Sequence, residues 1–559
     1  MSASAPDPVC QRHFVTVRGR FGTRQVHFRR GGQGPVVLLL HQSPQSSLEM
    51  EPLIAAWGQT FTLIAPDSPG YGWSQPLQRA GQPAATASID DLAAATLELA
   101  DALRLGRFGI YGFHTGASIG VALADACPKR VAAVAANGLV VLTADERAAM
   151  LRDYLPPVVP RWDGGHLAWL WGRMREQTIF FPWHDRRAAT RMDFDVPPPD
   201  RLQQGLNEFL AAGDHYHVAY AAAFTDAAEQ RLPDLRVPLL ITAAARDPLA
   251  SHLERIGVRS DSVRIVSSVD GDATRDQSFA HLALHPGDTT RATVDNVDLF
   301  EGSSYRGDPG RQIRLVRTTA RGGRTGRTVL LLHPPGASAE SLRPLAGTLA
   351  DCADVLVVDL PGHGASDPPP AGPAGAALAG TVGQLSAALR SSLAPATTTL
   401  IAVGSAARVG IELATALGLA TSVVLLAPPA WSAADQADWR REGLPALTPV
   451  WSGGHLLEAW HLVRDGRLFS PWFRRGPGGR RLVAGESESE PDLDDGRIHR
   501  DVRDLLRANG AWQSLLRDVL SDGPTGSGDP VPGTITLAGP PDNWSDVLTP
   551  DHGDGRPAS

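Results

Sequence analysis

Over residues 14–300 of this 559-residue chain, short apolar runs alternate with longer stretches whose apolar residues recur at helical spacing. The runs predict strands at about 14–18, 24–29, 35–40, 61–65, 107–111, 131–136, 237–243 and 262–266. Val36-Val-Leu-Leu-Leu40 has no polar side chain on either face, which suits a strand covered on both sides. After the fifth run, Ala117 to Ala126 is a small-residue segment at helical spacing, able to pack closely on a sheet. Strand followed by helix, repeated, predicts an α/β fold: a mostly parallel sheet with helices on both faces. Between the sixth and seventh runs, residues 141–230 are helical in pattern and predict a cap inserted after strand six, and residues 287–300 read as a closing helix.

The second half repeats the first. Pro160-Arg-Trp-Asp-Gly-Gly-His-Leu, continuing through Trp171, Arg175, Pro182 and Trp183, returns 289 residues later as Pro449-Val-Trp-Ser-Gly-Gly-His-Leu with Trp460, Arg464, Pro471 and Trp472. Val36 to Pro44 returns as Thr328 to Gly336, and Ile64 to Ser74 as Val357 to Ser366. Self-similarity over such lengths indicates tandem duplication of one domain. The expected organisation is a domain at 14–300 with its cap at 141–230, a linker at 301–312, a second domain at 313–549 with its cap at about 430–520, and a disordered tail at 550–559.

Composition narrows the partners. With 43% hydrophobic and 20% charged residues and a net charge of -8, the chain has no basic footprint for nucleic acid or an anionic membrane. Its three cysteines, Cys10, Cys127 and Cys352, are odd in number and far apart, which fits a reducing compartment better than a disulfide framework. No cationic stretch precedes an apolar run at the N-terminus, and no segment reaches about 18 continuous apolar residues. A cytoplasmic protein with a small-molecule substrate is expected, with no cofactor and no assigned metal.

The candidate chemistry sits after the fifth run, at Gly112-Phe113-His114-Thr115-Gly116. This is the outline of a nucleophile elbow, with histidine where serine is usual. Together with His41-Gln-Ser-Pro44, Asp67-Ser-Pro-Gly-Tyr-Gly-Trp-Ser74, Asp247 after the seventh run and His281 after the eighth, the first copy resembles the α/β-hydrolase superfamily, and specifically a branch whose elbow reads His-Thr-Gly. The resemblance implies an oxyanion hole from the amides of Ser43 and Thr115, His281 rather than His285 as general base, and Asp247 as the group that orients it. It also implies that His41 braces the oxyanion loop. Gln42, Phe113, Trp169 and His217 are the expected pocket residues; the Trp162, Trp169, Trp171 and Trp183 stripe is read first as a buried face of the cap and only second as a substrate wall, and His166 is read as a cap-folding residue.

A neutral imidazole is both a fair nucleophile and a good base at pH 7. His114 therefore leaves several readings open: attack on a carbonyl through an acyl-imidazole, acid/base action with His281, or metal binding with His281 and a carboxylate. Hydrolysis of an ester-like or other activated carbonyl compound is the expected activity. A cofactor-free lyase or isomerase using the two histidines, and a non-catalytic binding protein, are the alternatives. The second copy reads as a degenerate, truncated pseudoenzyme domain. Pro335 stands where Ser43 supplies an amide and has no hydrogen to donate, and Gly404 stands where His114 does; a shift of one residue would put Ser405 there instead, with Val403 and Ala407 in place of the flanking glycines. Asp542 only echoes Asp247, and His552 has no proper place as a counterpart of His281. A structural role, pairing with the first copy as an intramolecular pseudo-dimer, is expected for it.

Overall fold

A computed structural model describes residues 10–78, 86–289, 301–323, 325–373, 375–419, 423–479, 492–521, 534–541 and 543–548. Nearly all of the expected closing helix at 287–300, the whole tail at 550–559, and Asp542 and His552 lie outside the described residues.

In the first copy the strands are β1 (Gln11–Gly19), β2 (Gly22–Gly32), β3 (Val36–Leu40), β4 (Thr62–Pro66), β5 (Phe108–Phe113), β6 (Val131–Asn137), β7 (Leu239–Ala244) and β8 (Val263–Ser268). They form one sheet in the order β1-β2-β4-β3-β5-β6-β7-β8. β1 and β2 pair antiparallel, as do β2 and β4, and the remaining pairs are parallel. Every residue of β3, β4 and β6 is buried, as expected for strands with helices on both faces. Part of that covering is a core in which Trp57 meets Tyr111 edge-on with ring centroids 5.4 Å apart, beside Phe61, Leu63 and Leu282. Each such side chain contributes about 1.5–3 kcal/mol by leaving water.

Between β6 and β7 lie the helices Ala144–Ala149, Gly165–Gln177, Pro199–Ala212 and Tyr216–Thr225. The last of these is tied to the loop after β4. The Tyr71 hydroxyl donates to Tyr216 O at 2.6 Å and accepts from Ala219 N at 3.3 Å, joining the first turn of that helix to the loop.

The second copy repeats the plan with β9 (Gly302–Arg306), β10 (Ile313–Thr318), β11 (Thr328–Leu332), β12 (Asp354–Val358), β13 (Thr398–Val403), β14 (Val423–Leu426) and β15 (Thr534–Leu537). Their order, β9-β10-β12-β11-β13-β14-β15, is that of the first sheet without its eighth strand among the described residues. The stretch 301–312, expected as a linker, contains β9, which pairs antiparallel with β10. The chain divides into two compact units, Met1–Val297 with Pro449–Gly454, and Asp298–Thr448 with His455–Ser559. Among the described residues no helix is long and apolar enough to cross a membrane.

Candidate active site

β5 runs straight into the helix Thr115–Ala126, and His114 is the single residue of the turn between them. Its backbone has φ 47° and ψ -106°, a left-handed setting that costs a residue with a β-carbon and persists only where surrounding structure enforces it. The His114 amide donates to Asn137 O at 2.9 Å, anchoring the turn to the end of β6. The imidazole lies on the Phe113 ring, centroids 4.1 Å apart. Its Cδ2–Nε2 edge faces Gly138, where a β-carbon would fall 2.3 Å from Cδ2 and 2.7 Å from Nε2.

Asp247 follows β7, its own amide donating to Ala244 O at 2.9 Å. One carboxylate oxygen accepts the Leu249 amide at 2.8 Å, and the other lies 3.0 Å from His114 Nε2. Burial opposes ionisation of Asp247, but the imidazole beside it, their hydrogen bond and the Leu249 amide outweigh this and hold the carboxyl below its usual range. An ionised carboxylate only accepts, so Nε2 carries the proton and the lone pair of the neutral ring is on Nδ1.

The expected Asp247–His281 pair is not formed. β8 is followed after only two residues by the helix Gly271–Leu284, so no loop carries His281 back towards the strand ends. His281 is buried inside that helix, 3.3 Å from Pro238 O and 5.2 Å from the His285 ring, and burial lowers its pKa to about 4. The metal reading that joined His114 to His281 loses its geometry for the same reason.

A cavity of about 470 Å³ opens above the elbow. Gln42, Ser43, Phe113, His114, Thr115 and Asp247 line its floor, and Tyr154, Gln177, Phe181, Tyr220 and Phe224 of the cap line its walls. Trp169 and His217 are not among the lining residues. Trp169 is 41% exposed and packs edge-on against Trp183, and His217 lies against the Tyr216 ring. Tyr and Phe side chains thus stand on the wall where Trp169 was expected. Thr115 opens its helix, so its amide has no acceptor there.

His41 is fixed as a brace. Its Nδ1–H donates to Gln42 O at 2.8 Å and its Nε2 accepts the Ser68 amide at 2.8 Å, joining the loops after β3 and β4. His333 does the same in the second copy, through Pro334 O and the Leu360 amide.

Glu49 joins the site without any mark in its local sequence pattern. Its carboxylate accepts the Gln42 backbone amide at 3.1 Å and also the Gln42 side-chain amide, clamping the residue next to Ser43. Burial raises its pKa to about 7 against the pull of Gln42 and of His114. Nearby, the Asn137 side-chain amide donates to the Tyr111 hydroxyl at 3.0 Å while its buried Oδ1 has no partner. A second cavity of about 750 Å³ shares Phe113, Phe194 and Asp247 with the first and reaches Glu49, Tyr111 and Asn137.

In the second copy Gly404 follows β13 directly with φ 57°, so the same turn is made by a residue without a side chain.

Compared with known proteins, the chain is 32% identical over 112 residues to an uncharacterized hydrolase, YNR064C, of Saccharomyces cerevisiae, covering 20% of this chain and 37% of that protein. It is 32% identical over 133 residues to haloalkane dehalogenase 2 of Mycobacterium bovis, covering 23% and 43%. The matched stretches thus span less than half the length of these curated relatives. Among solved structures, a hydrolase from Pseudomonas aeruginosa PA01 matches 48% of this chain and 96% of its own at 19% identity, with a TM-score of 0.36. The description "alpha/beta hydrolase fold" matches residues 35–257 and "Alpha/beta hydrolase family" matches residues 329–552, so the chain belongs to the α/β-hydrolase superfamily, with two such domains in tandem.

Proposed function

We propose that the first domain hydrolyses an ester-like or other activated carbonyl group of a small molecule, with His114 as general base and Asp247 as the group that orients it. The observation that carries this reading is the 3.0 Å contact between the two at the floor of a cap-covered cavity with Tyr and Phe side chains in its wall. With Nε2–H held by Asp247, Nδ1 of His114 takes a proton from water as the hydroxide adds to the carbonyl carbon. The amides of Ser43 and Thr115 stabilise the oxyanion, and the imidazolium returns its proton to the leaving oxygen, giving acid and alcohol. Gln42 and Phe113 shape the floor. This scheme keeps the roles expected of Ser43, Thr115 and Asp247 and transfers the base from His281 to His114.

The two-histidine lyase or isomerase reading finds less support, because His114 is the one histidine among the described residues that line the cavity. The second domain, with Pro335 and Gly404 at the two decisive positions, is read as a structural pseudoenzyme that partners the first.

Hydrolysis of p-nitrophenyl acetate in ¹⁸O-labelled water tests the reading. Nitrophenol release with one labelled oxygen in the acetate is expected. Absence of turnover on acetate, butyrate and benzoate esters would remove the hydrolase reading and leave a binding protein. A product trapped by hydroxylamine at the expense of acetate would make His114 a nucleophile instead of a base.

A further inference from the structure

The cap helix Gly165–Gln177 buries an arginine that no carboxylate among the described residues balances. Arg173 is 2% exposed, and among the described residues it forms no ion pair. Its guanidinium lies 5.1–5.8 Å from the ring centres of Tyr154, Trp183, Phe209 and Tyr216, which hold a cation through their π faces. Nη1 donates to Gln177 Oε1 at 2.9 Å, whereas Nε and Nη2 have no hydrogen-bond partner. A guanidinium cannot shed its proton to escape burial, so the charge stays and its field falls on whatever is nearest. What is nearest includes the wall of the cavity above His114: Tyr154 and Gln177 line it, as does Tyr220. Because Gln177 turns its carbonyl oxygen to Arg173, its amide is the end hydrogen-bonded to the Tyr220 hydroxyl, which carries the polarity on to the cavity wall.

The second copy offers a comparison within the same chain. At the positions of Arg173 and Gln177 it has Leu462 and Gly466, in the copy whose elbow also lacks a side chain. Helix packing alone is served by leucine there. The cation occurs with the histidine elbow and is absent where the elbow is empty.

We propose that Arg173, acting through Gln177 and the Tyr154 and Tyr220 phenols, makes the cap wall an anion-binding subsite, so that the substrate is a carbonyl compound bearing a carboxylate. This rests on the hydrolase reading for the reacting carbonyl but not for the subsite. A neutral substrate would gain nothing from the buried charge, whereas a carboxylate brought into the low-dielectric cavity would be attracted to it with little screening by solvent, against the repulsion of Asp195 and Asp247, which also line the cavity.

The test is binding of glutarate against 1,5-pentanediol, equal in carbon chain but differing in charge, to the full-length protein by calorimetry. Glutarate is expected to bind at least about tenfold more tightly. The preference is expected to fall to near unity in Arg173→Leu, the residue of the second copy. Equal affinities in the wild type, or a preference unchanged in Arg173→Leu, overturn the proposal. Should Arg173→Leu fail to fold by circular dichroism, Gln177→Glu serves, since a carboxylate on the wall neutralises Arg173 and is expected to abolish the preference; a preference that survives it counts against the subsite. Glutarate preference without turnover of any ester would remove the hydrolase reading and keep the anionic subsite. Turnover of esters with no glutarate preference would do the reverse.

Discussion

His114 Nε2 and Asp247 Oδ2 stand 3.0 Å apart although 133 residues separate them in the chain. The carboxylate occupies the place after β7 from which the superfamily resemblance implied it would reach a different histidine. Here it holds the elbow residue itself. If this pair carries the reaction, His114→Ala is expected to lower ester hydrolysis by about 10²–10⁴-fold. Asp247→Asn is expected to approach the same loss, because an amide no longer holds the ring in the tautomer that leaves Nδ1 free. His281→Ala is expected to lower stability while leaving most of the activity; loss of activity in a folded His281→Ala protein would restore the arrangement that the sequence suggested.

Gly138 controls the same pair from the other side. Its φ is 69°, and a β-carbon there would come within 2.3 Å of His114 Cδ2, which leaves no room for alanine. Gly138→Ala is expected to push the imidazole off Asp247 and to cost about 1–3 kcal/mol of stability. Activity measured beside His114→Ala checks this: the two variants should be similarly impaired, and an active Gly138→Ala enzyme would mean that the observed ring position is not the working one.

Much of the fold is legible in the sequence alone. All eight first-copy strands fall on or beside the apolar runs, most plainly β3, β4 and β6, because a strand buried on both faces must be apolar throughout and its signal is local. The Gly112 to Gly116 turn is legible for a related reason, since few sequences tolerate so tight a passage from strand to helix. Glu49 gives no such signal. Its role depends on which loop its carboxylate meets, and Gln42 is brought to it by the packing of the turn after β3.

Glu49 predicts a pH dependence. Its folded pKa, about 7, lies above its ordinary 4.5, so its contribution to stability is fully present below about 4.5 and is lost as pH rises through 7. The loss amounts to at most about 3 kcal/mol. Denaturant midpoints of the wild type and Glu49→Gln at pH 5 and pH 8 measure it. The wild type should lose more stability than the variant over that interval, and parallel behaviour would show that Glu49 does not titrate there. Asp247 acts in the opposite sense, its lowered pKa favouring the folded state above the ordinary carboxylate range and losing that contribution as acid protonates it.

Tyr71 predicts a cap effect. Phenylalanine at this position would leave Tyr216 O and the Ala219 amide without the hydroxyl that now serves both. A loss of about 1–3 kcal/mol is expected. Hydrogen exchange in Tyr71→Phe should show the opening concentrated in Tyr216–Thr225, and uniform protection across that helix would argue against the tie.

By itself the sequence determined the duplication, the order of strands and helices, the elbow with histidine at its tip, and the positions at which the second copy lacks Ser43 and His114 equivalents. These are properties of local pattern and of comparison between the two halves. Only the tertiary structure decided which histidine Asp247 meets, because the helix begins two residues after β8 and carries His281 towards Pro238. It also decided that Tyr154 and Tyr220, and not Trp169, face the cavity, and that Arg173 is buried without a counter-charge among the described residues. Partner choice between distant residues is set by packing across several elements at once, and no single stretch of sequence contains that information.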